Sequence, residues 1–273
     1  MDQPYYADPE RYEAEYAPFR ADVAWYTARA AVLGGPALEL GCGTGRVLCA
    51  LAGAGLEVDG LDNAPAMLAR ARERVARLPP PLAARVGLVQ ADMAAFSLPR
   101  RYHLVLAPLN GLMHLLDDAS LAACLARVAE HLAPGGRFLF DLSVPRPDLL
   151  AEHGGEDGLP LRSLRLRGLT YDVSESQRYD PATRISLVRY RFSPRTEDGQ
   201  PFTTELHLRL FPPGEIPGLL ARAGLKALER HGDFRGSPPG PDDVMQLWEA
   251  GLEPRSAGGG PKPGRNENVP SVH

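Results

Sequence analysis

The hydrophobic and polar positions in the first half of the chain change their period several times, and each change predicts a new element. Apolar residues at steps of three or four over residues 10–33 predict one or two helices, which Pro18 separates. Short apolar runs predict five strands, at residues 37–40, 57–62, 86–90, 102–107 and 137–142. Helical patterns lie between these runs, at residues 46–54, 66–78 and 118–132. This alternation is typical of a three-layer α/β domain with a parallel sheet, whose strand carboxyl ends share one ligand-binding edge.

After residue 143 the pattern changes to polar alternation. Extended segments at residues 161–174, 184–193 and 203–211, joined by hairpin signals, predict an antiparallel insertion rather than an independent domain. A helix at 214–223 and strands at 226–231 and 243–249 then return the chain to the core. The predicted organisation is an N-terminal helical cap (1–35), an α/β core (36–145), the β insertion (146–212), the C-terminal part of the core (213–250) and a disordered tail (251–273).

Composition excludes several classes of protein. The 30 basic and 34 acidic residues give a net charge of −4, which lacks the basic excess of a nucleic-acid-binding protein. No apolar run approaches the roughly 20 residues that span a bilayer, and the polar N-terminus is unlike a signal peptide. Cys42, Cys49 and Cys124 have the spacing of neither a zinc site nor a disulfide framework. We therefore expect a cytoplasmic protein without a metal.

A glycine-rich turn follows the first predicted strand. Gly41, Gly43 and Gly45 alternate just before a helical pattern, and glycine lets a backbone turn sharply against a ligand. The start of the next helix offers unpaired N–H groups. A dinucleotide fingerprint requires a third glycine where this chain has Arg46, and the Gly-Lys-Ser/Thr of a P-loop is also missing. The turn therefore predicts a nucleotide-like ligand without a pyrophosphate.

Two acidic residues at strand ends extend this prediction. Asp62 ends the second strand, at the spacing where a carboxylate accepts both ribose hydroxyls. Asp92 ends the third strand, within reach of an adenine amino group, and Met93 follows it against the ring. A glycine turn, a ribose acid and an adenine acid in chain order indicate a nucleoside more strongly than the glycines alone.

Four motifs together resemble class I S-adenosylmethionine-dependent methyltransferases. The motifs are Glu-Leu-Gly-Cys-Gly-Thr-Gly-Arg (39–46), Gly-Leu-Asp-Asn-Ala-Pro-Ala-Met-Leu (60–68), Gln-Ala-Asp-Met (90–93) and His-Leu-Ala-Pro-Gly-Gly (131–136). The resemblance covers residues 10–145 well and 205–250 loosely. It implies a Rossmann-like fold with a seven-stranded, mostly parallel sheet whose last strand is antiparallel, and S-adenosylmethionine as the cofactor. The helical cap and the β insertion are then expected to lie above the binding edge as lid and substrate walls.

The resemblance also implies a set of cofactor-binding residues. They are Glu39, Gly41, Cys42, Gly43, Gly45, Arg46, Asp62, Asn63, Met67, Asp92, Met93 and Leu109. Glu39 is either a strand-end acid that bonds loop amides or a group that orders the aminoacid end of the cofactor. Arg46 acts in the same way or is a solvated helix arginine. His103 stands where many members have an acid, at a strand start away from the binding edge.

Two residues are candidates for direct roles in catalysis. His114 follows the fourth strand, in a loop where a histidine serves as base or substrate contact in methyltransferases that act on sugar amines. Tyr16 matches an N-terminal tyrosine over the active site of that subgroup. The alternative for both is pocket lining or packing. The predicted insertion also carries arginines that either face solvent or bind an acidic substrate, namely Arg162, Arg165, Arg167, Arg178, Arg184, Arg189 and Arg191.

We therefore predict methyl transfer from S-adenosylmethionine to a nitrogen or oxygen of a small molecule. Catalysis is expected mainly from positioning, with assistance from a base. The alternatives are an inactive S-adenosylmethionine-binding subunit, a nucleic-acid methyltransferase and an NAD-dependent oxidoreductase. The loop Ala-Pro-Leu-Asn (107–110) lacks the Asn/Asp-Pro-Pro-aromatic pattern of amino-methylating nucleic-acid enzymes. The expected partners are a small-molecule acceptor and a second copy of the chain, without nucleic acid or membrane.

Overall fold

The computed structural model describes residues 2–145 and 160–253, which form two sheets. The larger sheet has seven strands: β2 (Ala37–Leu40), β3 (Val58–Asp62), β4 (Val86–Gln90), β5 (Tyr102–Ala107), β6 (Leu132–Ser143), β11 (Leu225–His231) and β12 (Met245–Leu252). Their order is β11-β12-β6-β5-β2-β3-β4. Strand β12 runs antiparallel to both of its neighbours, whereas β2 to β6 pair in parallel. The predicted sheet with an antiparallel last strand is confirmed.

Helices cover both faces of this sheet. They are α1 (Pro9–Tyr16), α2 (Ala21–Leu33), α3 (Arg46–Gly53), α4 (Pro65–Ala76), α5 (Pro80–Ala83), α6 (Asp118–His131) and α7 (Ile216–Arg222). Side chains of β5 alternate between two apolar clusters, with Val105 in one and Leu104 and Leu106 in the other. All three are fully buried, as expected of a parallel strand covered on both faces. None of the described helices is both long and apolar enough to cross a membrane.

The second sheet contains the predicted antiparallel segments and one strand that was not predicted. Its strands are β1 (Asp2–Pro4), β7 (Pro160–Leu166), β8 (Leu169–Asp180), β9 (Ile185–Pro194) and β10 (Phe202–Arg209), in the order β1-β10-β9-β8-β7. The segment predicted at 161–174 is a hairpin, because the chain turns at Arg167 and Gly168 with φ of 51° and 82°. With three residues, β1 is too short to show a period of alternating apolar and polar positions. Because of this strand, the segment 1–35, predicted as a helical cap, is not wholly helical.

Several predicted boundaries also move. β6 begins at Leu132, directly after α6 and five residues before the predicted start, and β12 continues to Leu252 instead of ending at residue 249. After α4, Pro80 and Pro81 begin the short helix α5, because proline suits a first helical turn. Residues 146–159 of the predicted insertion and residues 254–273 of the predicted tail lie outside the described residues.

Candidate active site

A cavity of about 470 Å³ lies at the carboxyl ends of β2, β3 and β5. Most of the predicted cofactor-binding residues line it, together with one of the two catalytic candidates. They are Glu39, Gly41, Cys42, Gly43, Arg46, Asp62, Asn63, Met67, Asp92, Met93, Leu109 and His114. Gly45 and Tyr16 do not line this cavity. His103 is exposed at the start of β5, at the opposite end of the strand from the site.

The glycine turn is closed by the carboxylate at the end of β3. Gly41 and Gly43 have φ of 64° and 55°, a region that side chains disfavour. The N–H of Gly43 donates to Oδ2 of Asp62 at 2.8 Å, and the N–H of Ala64 donates to Oδ1 at 2.8 Å. Burial raises the pKa of Asp62, although these backbone donors act in the opposite direction. Asp62 therefore shapes the turn and lines the cavity, where its remaining lone pairs can accept ligand hydroxyls.

Gly45 serves helix packing. It is the N-cap of α3, with φ of 76°. A Cβ placed on it would lie 3.4 Å from the Cβ of Ala71 in α4. The alternating glycines of the sequence do not distinguish a glycine that approaches a ligand from one that approaches a neighbouring helix.

Cys42 fills the space above Gly60. A Cβ placed on Gly60 would lie 2.9 Å from Cβ and Sγ of Cys42 and from Cδ1 of Leu48. Burial raises the pKa of the Cys42 thiol well above its usual value, so the thiol stays protonated. Cys42 thus lines the cavity as a small, chemically inert side chain.

Replacing Gly60 by alanine is expected to lower the free energy of unfolding by about 1–3 kcal/mol, because the added methyl group overlaps Cys42 and Leu48. The matched control is Gly53→Ala, in α3, where a Cβ would meet nothing within 4 Å. That change is expected to be neutral or stabilising. Chemical denaturation of both variants checks this, and equal stabilities would contradict the close approach at Gly60.

Glu39 and Arg46 both line the first cavity, and each has a buried polar atom that no other group in the described part of the chain pairs with. Glu39 is 3% exposed, and its Oε2 has no hydrogen-bond partner among the described residues. Nε of Arg46 likewise has no hydrogen-bond partner among the described residues. Nη1 of the same guanidinium donates to Oδ1 of Asp22 at 2.7 Å and to the carbonyl of Phe19 at 3.2 Å. Arg46 is therefore not a solvated helix arginine. An unpaired acceptor and an unpaired donor in one cavity suit a ligand with an ammonium and a carboxylate group.

Burial raises the pKa of Glu39 to about 8; the nearby Asp22 and Asp62 add to the rise, and Arg46 opposes it. The folded protein therefore keeps a proton that the unfolded chain releases near pH 4.5, so this group lowers stability progressively as the pH rises from about 4.5 to 8. Glu39→Gln removes this effect. In thermal denaturation without ligand, the variant is expected to lose less stability than the parent between pH 5 and 8.5; parallel curves would contradict the assignment.

A second cavity of about 480 Å³ lies between the core and the second sheet. Tyr16 lines it, and Tyr6, Leu109 and His114 line both cavities. Alternate residues of three strands form its far wall, namely Glu175, Gln177, Val188, Tyr190, Leu206 and Leu208. The second sheet thus walls a space that adjoins the first cavity.

His114 lies where the two cavities adjoin. It ends the 3₁₀ turn Gly111–His114 that follows β5, and its Nε2 is 2.8 Å from the hydroxyl of Tyr6. The two rings also pack edge to face, with centroids 5.4 Å apart. Burial lowers the pKa of His114 to about 4. The imidazole is therefore neutral near pH 7 and retains a nitrogen lone pair that can accept a proton.

Two tyrosines of the site were not predicted as site residues. Tyr6 belongs to a 3₁₀ turn of three residues, Tyr5–Ala7, which has no sequence period. Tyr12 belongs to helix α1, where its spacing fits either a packed helical face or a pocket mouth, and it lines the first cavity. Its hydroxyl is 3.7 Å from the Cβ position of Gly43, so it lies over the glycine turn.

The arginines predicted for the insertion do not reach the site. Arg162 pairs with Glu15 at 3.0 Å and Arg167 pairs with Asp8 at 2.8 Å, both on the N-terminal segment. None of the predicted arginines lines either cavity. Among the described residues, Glu175 is the one acidic side chain that lines the second cavity, and no arginine or lysine lines it. The hypothesis that these arginines bind an acidic substrate is therefore not supported.

Comparison with known proteins agrees with this arrangement. A family model described as a methyltransferase domain matches residues 37–136. The dTDP-3-amino-3,6-dideoxy-alpha-D-glucopyranose N,N-dimethyltransferase of Streptomyces fradiae is 34% identical over 177 residues, which cover 64% of this chain. This chain spans 63% of that relative's length.

Solved structures match over most of the chain. The CcbJ methyltransferase from Streptomyces caelestis has a TM-score of 0.74 and 26% identity, covering 93% of this chain and 100% of that protein. SAM-bound CalS10 from Micromonospora echinaspora, an amino pentose methyltransferase involved in calicheamicin biosynthesis, has a TM-score of 0.67 and 26% identity. That match covers 88% of this chain and 95% of CalS10.

Proposed function

We propose that this protein is an S-adenosylmethionine-dependent methyltransferase that transfers a methyl group to a nitrogen of a small molecule, since residues 37–136 match the family model of a methyltransferase domain. The observation that carries the proposal is the pair of adjoining cavities, which share Tyr6, Leu109 and His114. The first is lined by residues that we propose bind the cofactor. The second has space for a small acceptor, and among the described residues no arginine or lysine lines it to pair with an acceptor carboxylate, which favours an amine.

Two buried polar atoms of the first cavity that lack hydrogen-bond partners within the described chain fit the charged groups of S-adenosylmethionine. Oε2 of Glu39 would bind the ammonium of the methionine part, and Nε of Arg46 would bind its carboxylate. Asp62 would accept the ribose hydroxyls, and Asp92 would accept the adenine amino group. When bound, this cofactor supplies a methyl group on a positively charged sulfur.

The chain's own residues would contribute positioning and a proton acceptor. The neutral ring of His114 would take the proton that the acceptor nitrogen loses, and the contact with Tyr6 at 2.8 Å fixes the orientation of that ring. Tyr16 would contact the acceptor in the second cavity. Tyr12 and Tyr6 cover the glycine turn and the cavity junction from the N-terminal side, which keeps water from the reacting groups.

Isothermal titration with S-adenosylmethionine, S-adenosylhomocysteine and NAD tests the cofactor. We expect binding of the first two and none of NAD; preferred binding of NAD would restore the oxidoreductase alternative. Production of S-adenosylhomocysteine with a panel of small amines, alcohols and carboxylates tests the acceptor. Turnover confined to alcohols or carboxylates would contradict an amine acceptor, and binding without any turnover would indicate an inactive subunit.

We further propose a cytoplasmic homodimer. Cys42, Cys49 and Cys124 are all free, as is usual in a reducing compartment. Leu228 is 44% exposed on β11, which is an edge strand of the larger sheet and offers unpaired backbone groups. Sedimentation velocity is expected to give the mass of a dimer, and a single monomeric species would contradict this.

A further inference from the structure

Strand β6 carries a buried carboxylate that lines neither cavity. Asp141 has no exposed surface. Its Oδ1 accepts the N–H of Leu109 at 2.8 Å, and its Oδ2 accepts the N–H of Asn110 at 3.1 Å. From helix α2, the hydroxyl of Tyr26 donates to Oδ1 at 2.6 Å. Three donors therefore converge on one carboxylate behind the loop that follows β5.

The loop residues that Asp141 holds have an unfavourable backbone conformation. Leu109 and Asn110 have φ of 53° and 62°, and such values are uncommon for residues other than glycine, especially for a bulky side chain such as leucine. A second bond restrains the same loop, because the N–H of Ser143 donates to Oδ1 of Asn110 at 2.6 Å. Conformations of this kind persist when the surroundings determine them, and here β6 supplies the determining contacts.

The position of this loop matters to both cavities. Leu109 lines both of them, Asn110 lines the second, and the 3₁₀ turn that ends at His114 begins at the next residue. We infer that Asp141 is a positioning residue, which acts through Leu109 and Asn110 to set the wall between the cavities and the placement of His114. This inference rests on the proposed methyl transfer for its role in catalysis.

The charge of Asp141 is needed for this task. A carboxylate accepts from all three donors, whereas an amide in its place offers one acceptor oxygen and turns its own N–H groups toward a donor. Burial raises the pKa of Asp141 to about 6, and the hydrogen bonds from Tyr26, Leu109 and Asn110 counteract that rise. The nearby carboxylate of Asp22, which adds to the rise, is itself paired with Arg46. Helix α2 therefore contacts Asp141 through Tyr26 and the residue after the glycine turn through Asp22.

The test compares Asp141→Asn with Glu249→Gln. Glu249 is 4% exposed on the adjacent strand β12, accepts from Nε of Arg137 at 3.1 Å and lines neither cavity. Both changes remove a buried charge and are expected to lower the melting temperature. Only Asp141→Asn is expected to weaken S-adenosylhomocysteine binding, by about tenfold or more, and to lower kcat, because one loop N–H loses its acceptor. A purely structural role would leave its dissociation constant equal to that of Glu249→Gln, which would overturn the inference.

Tyr26→Phe keeps the inference falsifiable if Asp141→Asn does not fold. It preserves the charge and both loop bonds, so a smaller loss of affinity is expected, about threefold, and an unchanged affinity would count against the inference. The binding readout also separates this inference from the proposed function. Weaker binding by the variants in a protein that methylates no amine would refute the function alone; parent-like binding and kcat in the variants of an active enzyme would refute the positioning role alone.

Discussion

Replacing Asp62 by alanine is expected to weaken S-adenosylhomocysteine binding by about a hundredfold or more. The change removes the acceptor for the N–H groups of Gly43 and Ala64, each at 2.8 Å, and the group proposed to bind the ribose hydroxyls. Hydrogen bonds to a charged partner contribute about 1.5–3 kcal/mol each, and each 1.4 kcal/mol is about tenfold in affinity. Isothermal titration measures the effect directly.

The matched control for this prediction lies on the same strand. Asp59 is three residues earlier in β3, accepts the hydroxyl of Tyr102 at 2.7 Å and lines neither cavity. Asp59→Ala is expected to destabilise the fold while leaving the affinity within about twofold of the parent, because it touches no proposed ligand contact. Equal losses of affinity in the two variants would show that the effect at Asp62 is a general loss of stability.

Replacing His114 by alanine is expected to lower kcat by about a hundredfold or more, the usual contribution of a positioned general base. The affinity for S-adenosylhomocysteine is expected to change only a few-fold, because His114 lies at the boundary between the two cavities and is not one of the residues proposed to bind the cofactor. Tyr6→Phe removes the 2.8 Å contact with Nε2 while keeping the ring, so a smaller fall in kcat is expected. Steady-state kinetics and titration of both variants separate these effects. An unchanged kcat in His114→Ala would contradict the base assignment.

The pH dependence offers an independent check on His114. Burial lowers its pKa to about 4, so the ring is neutral and able to accept a proton at every pH above that value. We therefore expect no acid limb near pH 6.5 from this group, and any loss of rate at that pH should follow protonation of the acceptor amine. A limb near pH 6.5 that is the same for acceptors of different basicity, and is absent in His114→Ala, would contradict the burial of the imidazole.

The candidate site residues that the structure brings together at the first cavity are mainly those whose positions are set by local spacing. Asp62 ends β3 and Asp92 lies two residues after the end of β4, so their positions at one edge follow from the alternation of strands and helices. Gly41 and Gly43 line the cavity as predicted, because the strand-to-helix turn requires their positive φ.

The parts that were missed depend on contacts between distant segments. Tyr6 contacts His114 across 108 positions of sequence, from an element too short to show a period. Arg162 pairs with Glu15 across 147 positions, which a pattern of alternating arginines does not reveal. The hydrogen bonds that Asp141 accepts from the loop after β5 also cannot be predicted from the sequence, because there this residue is one acid within an apolar strand.

The most direct test of the central claim is transfer of a deuterated methyl group from labelled S-adenosylmethionine to a panel of small primary and secondary amines, followed by mass spectrometry of the products. The account predicts that at least one amine gains the labelled methyl on its nitrogen, in equal amount to the S-adenosylhomocysteine formed, and that His114→Ala slows this transfer. Labelling of only hydroxyl or carboxylate acceptors, or tight cofactor binding with no labelled product from any amine, would contradict it.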